Sequence, residues 1–128
     1  FDGNEENPYL PKNIKDENWV VYTGTHDNST TYSWWQYLDN NIKKRINEEY
    51  KYSDNPSWNL IEIGIKTKAN LFVAPIQDIL NLDDSSRLNK PGTIKDNWQW
   101  KLNIPLEAIT TELKKFGELG SQYGRTRF

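Results

Sequence analysis

The chain has 128 residues, of which 35% are hydrophobic, 27% are charged and 13% are aromatic, with six Trp and seven Tyr. This length suits one domain with a modest core, and the abundance of large rings argues against a disordered chain. The net charge is −2 and the charges are interspersed, which excludes a basic stripe that binds nucleic acid. The absence of cysteine excludes a disulfide scaffold, and the lack of a long apolar run excludes a membrane-spanning segment.

The beginning of the chain indicates a piece of a longer protein. It opens with Phe1-Asp2-Gly3, and no methionine occurs anywhere in the sequence. Residues 1–18 are rich in Asn, Glu and Pro, and Pro8 and Pro11 favour extended backbone before them, which predicts a loop. No repeat or low-complexity linker interrupts the chain, so we expect residues 1–128 to form a single unit without an internal boundary.

The next segments predict a strand, a turn and a helix. Residues 19–23 are β-branched or aromatic and end at Gly24, which is typical of a short, fully buried strand of a parallel sheet. Residues 25–31 are polar and rich in helix-capping side chains. An apolar stripe with four-residue spacing then predicts one helix of three or more turns, and its members are Trp34, Leu38, Ile42 and Ile46.

Residues 57–68 are open to two interpretations. Three isoleucines alternate with polar or small residues there, which is the period of a strand. The spacing of Trp58, Ile61 and Ile65 equally suits a helix with Ser57 as its N-cap. Periodicity alone does not decide between them.

The second half of the chain predicts one more strand. Residues 71–74 form a short apolar run that Pro75 ends, and a brief helix is expected at about residues 77–82. A long loop covers residues 87–100, and a terminal helix runs from Leu106 to about residue 123. Strands separated by helices favour parallel α/β architecture. Because two strands are too few for a stable sheet, we expect neighbouring strands that this chain lacks.

His26 and Asp27 are the candidate chemical groups, because they lie just beyond the carboxyl end of the first predicted strand. In parallel α/β folds, ligands bind at that rim. The alternative is that Asp27 or Asn28 only caps the following helix while His26 packs beneath it. A metal site is disfavoured because the chain has one His, and Asp83-Asp84 lacks the spacing of a calcium loop.

The tryptophans allow a sugar-stacking interpretation as well as a packing one. Trp34 lies on the predicted apolar stripe, so we expect it in the core. For Trp35, Trp98 and Trp100 we also favour core packing over stacking on a ligand.

Five segments, in order along nearly the whole chain, resemble amylomaltases and plant-type disproportionating enzymes of glycoside hydrolase family seventy-seven. They are residues 7–11, residues 21–28 followed by Thr30-Thr31 and Trp34-Trp35, residues 73–80, residues 87–93 with 97–100, and residues 123–125. The resemblance implies the C-terminal part of a (β/α)8 TIM barrel, with about strands seven and eight and their helices, incomplete by itself. It also implies a helix for residues 57–68.

Family members are retaining 4-alpha-glucanotransferases. The resemblance therefore implies that the full-length protein transfers a segment of an α-1,4-glucan to a 4-hydroxyl of an acceptor glucan or glucose. Asp27 would be the catalytic aspartate that stabilises the oxocarbenium-like transition state, while His26, Asp2 and Asn97 would bind substrate. The nucleophile and the acid/base would lie on strands that this chain lacks, so we expect the chain alone to be inactive.

The resemblance also sets expectations for partners. They are α-1,4-glucans, malto-oligosaccharides and the missing N-terminal part of the barrel, with no nucleic acid, membrane, metal or organic cofactor. A cytoplasmic location is implied, or a plastid in a plant-like source. Glu62 and Asp78 do not match the positions of the missing carboxylates. The alternative function is a non-catalytic module that binds α-glucans through its aromatic residues.

Overall fold

A computed structural model describes residues 3–51 and 54–126. The strands in these ranges are β1 (Val20–Tyr22) and β2 (Leu71–Val73). The α-helices are α1 (Thr31–Tyr37), α2 (Asn40–Tyr50), α3 (Pro56–Ile65), α4 (Ile76–Ile79) and α5 (Thr110–Gln122). Short 3-10 helices cover Pro11–Asn13, Asp84–Ser86 and Leu106–Ile109. Within the described residues, no helix combines the length and apolar character that crossing a membrane requires.

The two strands pair in parallel, which confirms the predicted α/β arrangement. Val20 lies opposite Leu71 and Tyr22 lies opposite Val73, with three helices in the connection between the strands. These four side chains share one face of the sheet and are between 45% and 54% exposed. The prediction of fully buried strands is therefore wrong for this chain, because no described residue covers that face.

The opposite face of the sheet carries the core. The side chains of Trp58, Ile61 and Ile65 on α3 pack with Ile79, and Phe72 of β2 packs against them. The Trp58 indole N–H also donates to the Ile79 carbonyl over 3.1 Å, so its polar atom is satisfied inside the core.

The helical interpretation of residues 57–68 is confirmed, but the predicted N-cap is wrong. Asn55 caps α3 by accepting a hydrogen bond from Trp58 N over 3.2 Å, and Pro56 occupies the first turn. A Pro is favoured at the first helical position because its missing N–H has no partner there in any case. Ser57 is instead fully buried within the helix.

The predicted helix over Trp34 to Ile46 is in fact two helices. The backbone of Leu38 is extended, with ψ 140°, and Asp39 caps α2 by accepting from Asn41 N over 2.8 Å. A strong cap inside an apolar stripe ends one helix and begins another. Of the four residues of the stripe, Ile46 is buried and the others are half-buried.

The C-terminal helix begins later than predicted. Residues 106–109 form a 3-10 turn after Pro105, in which Leu106 is 66% exposed and Ile109 is buried. Beyond α5, the Arg125 guanidinium donates to three carbonyls of the connection between α3 and β2, those of Ile65, Thr67 and Ala69, at 2.7 to 2.8 Å. This contact fixes the end of the chain to the start of β2.

A close approach between α3 and β2 predicts a stability effect. A Cβ on Gly64 would overlap the Phe72 ring, which lies between the sheet and the helices. We expect Gly64→Ala to lower the free energy of unfolding of the full-length protein by about 1–3 kcal/mol, because the ring must move out of a packed position. Urea unfolding measures this loss.

The matched control is Gly117→Ala on α5, where an added Cβ meets no atom within 4 Å. There, the better helix propensity of Ala should raise stability by about 0.5–1 kcal/mol. Equal effects of the two substitutions would contradict the packing of Phe72 on Gly64.

Candidate active site

His26 and Asp27 lie in the loop of residues 24–30, between the end of β1 and the start of α1. The strand pairing extends one residue into this region, because Thr23 N donates to the Val73 carbonyl over 3.4 Å. The loop therefore lies at the carboxyl end of a parallel strand pair, as the sequence predicts. The carboxyl ends of parallel strands are where α/β proteins bind ligands.

The helix-capping alternative for this loop is wrong. Thr30 is the N-cap of α1, and its side chain accepts from Ser33 N over 3.3 Å. Asn28 instead closes the turn, since its side-chain oxygen accepts from Thr25 N and from Thr25 Oγ1 over 2.8 and 3.0 Å. Asp27 thus has no structural task at the helix N-terminus, and its carboxylate faces outward.

A buried carboxylate joins the two ends of the loop. Asp78 of α4 is 2% exposed and accepts from Thr23 Oγ1 over 2.5 Å, from Thr31 N over 2.9 Å and from Thr31 Oγ1 over 2.8 Å. Thr23 directly precedes the loop and Thr31 directly follows it. Because hydrogen bonds to an ionised acceptor are stronger than neutral ones, this carboxylate fixes both stems.

Asp84 provides a second attachment further along the loop. Its carboxylate accepts from Ser29 Oγ over 3.1 Å and from Thr30 N over 2.9 Å. Arg87 lies 3.6 Å from the same carboxylate and donates to Ser29 Oγ over 3.2 Å. The segment that follows β2 and α4 therefore supports the loop that follows β1.

The Asp27 carboxylate is held at one oxygen. Its Oδ1 accepts from the Asn89 side-chain amide over 2.7 Å and lies 3.3 Å from His26 Nε2, an ion pair when the imidazole is protonated. Arg87 Nη2 donates to the Asp27 carbonyl over 3.0 Å. Oδ2 receives no hydrogen bond from any residue that the structure describes, and the Asp27 side chain is 49% exposed. This oxygen can accept from a ligand.

Trp98 lies beside His26 and is exposed, so the prediction that it packs in the core is wrong. Its ring centroid is 5.0 Å from that of His26, with 40° between the planes, and the residue is 62% exposed. Its backbone has φ 62°, which is uncommon for a bulky residue, and its N–H donates to the Leu88 carbonyl. The loop after α4 thus presents an aromatic ring next to the His26 imidazole.

Asn97 lies within the same loop, but its amide is bound there. Its oxygen accepts from Lys90 N over 2.9 Å, and its nitrogen donates to the carbonyl and the hydroxyl of Thr93, each over 3.0 Å. Asn97 therefore stabilises the turn at residues 90–93, and its role in substrate binding stays a prediction. Asp2 lies outside the described residues.

Two open spaces border the loop, and one of about 380 Å³ lies on its Trp34 side. A cavity of about 60 Å³ lies among residues that include Thr25, Gln77 and Leu88. Asp27 lines neither of these two spaces, so no enclosed pocket surrounds its carboxylate among the described residues. Among residues 3–51 and 54–126, no three His, Asp or Glu side chains come together in a way that could hold a metal ion.

Sequence reasoning gave no role to Asn89, Arg87 or Asp78 at this site. Arg87 and Asn89 lie in the loop after α4, whose local pattern shows only a polar composition. The available signal was topological: polar residues follow each of two strands that are parallel neighbours, and such loops meet at one edge of the sheet.

Comparison with known proteins identifies similar chains. The model of the 4-alpha-glucanotransferase family of glycoside hydrolases matches residues 1–107. The chain is 38% identical over 132 residues to the chloroplastic/amyloplastic 4-alpha-glucanotransferase DPE1 of Oryza sativa subsp. japonica, covering 98% of this chain and 22% of the relative. It is 36% identical over 129 residues to the 4-alpha-glucanotransferase of Clostridium butyricum, covering 98% of this chain and 26% of the relative.

The fold is also similar to a solved structure. An amylomaltase from Streptococcus agalactiae, solved in complex with acarbose, superposes with a TM-score of 0.87 at 25% identity, covering 99% of this chain and 26% of that one. The chain thus spans between 22% and 26% of the length of these similar proteins.

Proposed function

The chain belongs to the 4-alpha-glucanotransferase family, and from this premise we propose that it forms the C-terminal part of the catalytic barrel of such an enzyme. In this proposal, the full-length protein transfers a segment of an α-1,4-glucan to a 4-hydroxyl of an acceptor glucan or glucose with retention of configuration. The observation that carries the proposal is the half-exposed Asp27 carboxylate at the carboxyl end of a parallel strand, with one oxygen held and the other open.

The exposed face of the sheet formed by β1 and β2 supports a barrel. Strands β1 and β2 are proposed as its seventh and eighth strands, so Val20, Tyr22, Leu71 and Val73 point to the barrel interior, which explains their apolar character despite their exposure in this chain. An apolar groove of about 380 Å³ runs beside β1 and includes Trp19, Val21 and Leu60. The preceding strand and helix of the barrel would cover it.

Asp27 acts in this proposal on charge that develops in the transition state. A glycosyl group leaving its bond passes through an oxocarbenium-like state, and a fixed carboxylate stabilises that positive charge. The free Oδ2 accepts hydrogen bonds from hydroxyls of the donor sugar, which strengthen as the ring distorts. His26, on the Trp98 ring, presents a further donor to the same sugar.

Retention of configuration needs two further carboxyl groups. A nucleophile and an acid/base about 5 Å apart act on opposite sides of the glycosidic bond. They would come from the part of the barrel outside this chain. Asp78 is 2% exposed and bound by two threonines, so it is not a candidate for either role.

The test of the proposed function is an assay of the full-length protein with maltotriose. We expect glucose and longer malto-oligosaccharides as products, with little net hydrolysis because the acceptor sugar competes with water in a shielded site. Purely hydrolytic products, or no turnover of any α-1,4-glucan, would reject the transferase assignment.

The isolated chain provides a separate prediction. Purified by itself, it is expected to produce no glucose from maltotriose, because one aspartate cannot supply a nucleophile and an acid together. Product analysis by chromatography over long incubations measures this. Measurable disproportionation by the chain alone would mean that it contains the catalytic pair.

A second candidate function is a non-catalytic module for α-glucans, and the exposed Trp98 favours it. An aromatic ring that is 62% exposed can stack on a sugar without any chemistry. The two functions separate by substitution: the module requires Trp98 for glucan binding and tolerates loss of the Asp27 charge, whereas the transferase requires that charge for turnover.

A further inference from the structure

We propose that Asn89 is a positioning residue for Asp27, whose amide fixes the carboxylate so that Oδ2 is directed at the substrate. This inference rests on the proposed function. It concerns a residue from the loop after α4 that acts on a residue from the loop after β1, 62 positions apart in sequence.

The contact has the geometry of a strong hydrogen bond. Asn89 Nδ2 donates to Asp27 Oδ1 over 2.7 Å, within the range of charge-assisted hydrogen bonds. A carboxylate on a two-bond side chain can rotate about both bonds, and binding one oxygen removes most of that freedom. The second oxygen is then fixed in place without being used.

The backbone of Asn89 is held at two points, which fixes the base of the donor side chain. Its own N–H donates to the His26 carbonyl over 3.2 Å, and its carbonyl accepts from Arg87 Nε over 3.3 Å. The same guanidinium donates to the Asp27 carbonyl over 3.0 Å. The two loops are therefore joined at adjacent points, so the backbone that carries the amide and the backbone that carries the carboxylate are held together.

The hydrogen bond between Asn89 and Asp27 matters because it positions the carboxylate before the reaction begins. Groups that stabilise a transition state act best when they need no reorganisation at the moment of reaction. A displacement on the order of 1 Å lowers rates by about 10²-fold when it misplaces a catalytic group. Asn89 should therefore affect the rate of transfer more than the affinity for glucan.

The experiment compares Asn89→Ala and Asn89→Leu in the full-length protein, with maltotriose as substrate. We expect each to lower kcat by about 10–100-fold with KM within a few-fold of the wild-type value. The Leu variant keeps the approximate size and shape of the side chain and removes the donor without adding a charge beside the Asp27 carboxylate, so packing alone would leave its kcat unchanged. Wild-type kcat in either variant overturns the proposal.

Two controls separate positioning from folding. Asn47→Ala removes an exposed amide on α2, away from the site, and should leave kcat unchanged. Thermal unfolding should show Asn89→Leu folded, and this variant decides the question if Asn89→Ala does not fold. If neither variant folds, Asn89 is a structural residue and the proposal is rejected.

A double-mutant cycle with Asp27→Asn completes the test. If Asn89 acts through Asp27, then Asn89→Ala should cause no further loss of kcat once the Asp27 charge is gone. Full additivity of the two losses overturns the proposal. A large loss in Asp27→Asn with none in Asn89→Ala rejects this inference alone, whereas full activity in both variants rejects the proposed function.

Discussion

Asp27→Asn in the full-length protein is expected to lower kcat for glucan transfer on the order of 10³-fold, the scale for losing one group that stabilises transition-state charge. Asn has the shape of Asp and can still accept from the Asn89 amide at one oxygen. It cannot place negative charge beside a developing oxocarbenium ion. KM should change less than kcat, because the lost interaction is made mainly in the transition state.

Initial rates of glucose release from maltotriose measure this loss, and thermal unfolding measured in parallel should show little change, since the Asp27 side chain is half-exposed. Asp54→Asn makes the same chemical change at an exposed site just before α3 and should retain wild-type kcat. A kcat for Asp27→Asn within a few-fold of wild type would leave Asp27 without a catalytic role and would favour the binding module.

Local patterns were sufficient to predict the frame of the site. The β-branched run before Gly24 indicated β1, the run before Pro75 indicated β2, and both lie where the sequence puts them. His26 and Asp27 follow β1 directly, so their place at the carboxyl end of a strand needed no tertiary information.

The wrong predictions share a physical cause: a specific contact overrides the structure that the local pattern favours. The apolar stripe from Trp34 to Ile46 predicted one helix, but the Asp39 side chain accepts a hydrogen bond from a backbone N–H and so begins a second helix. Trp98 was assigned to the core on hydrophobicity, yet its backbone conformation and its hydrogen bond to Leu88 keep it exposed.

The contacts to Asp27 could not be read from the sequence, because they depend on which strands are neighbours. Asn89 and Arg87 reach the loop only because β1 and β2 pair in parallel in the observed register. If β1 paired with a different strand, Arg87 and Asn89 would lie away from the loop that carries Asp27. The resemblance to a family indicated that residues 87–93 matter, but not what they contact.

Asp78→Ala is expected to be the most destabilising substitution at the site. It removes the acceptor for Thr23 Oγ1, Thr31 N and Thr31 Oγ1 in a place that is 2% exposed. Each buried donor left without a partner costs about 1–3 kcal/mol, so we expect a loss of roughly 3 kcal/mol or more in the free energy of unfolding. The midpoint of urea unfolding of the full-length protein measures it.

Asp78→Asn is the graded comparison and should cost less, because its carbonyl oxygen can still accept the one hydrogen bond made at Oδ1 or the two made at Oδ2. Thr31→Val, which removes one donor, should be less harmful in the Asp78→Ala background than in the wild type, since an unsatisfied hydroxyl disappears with it. Strict additivity of these two changes would contradict the hydrogen bond between them.

These variants also separate two tasks at one loop. Asp78 holds Thr23 and Thr31, the stems on either side of residues 24–30, so its loss should lower stability and kcat together. Asn89 holds only the carboxylate at the tip, so its loss should lower kcat while the unfolding midpoint stays near the wild-type value. In this proposal the buried Asp78 carboxylate keeps the loop rigid, and the Asn89 amide orients the Asp27 carboxylate. An equal fall in stability for Asn89→Leu and Asp78→Asn would remove that distinction.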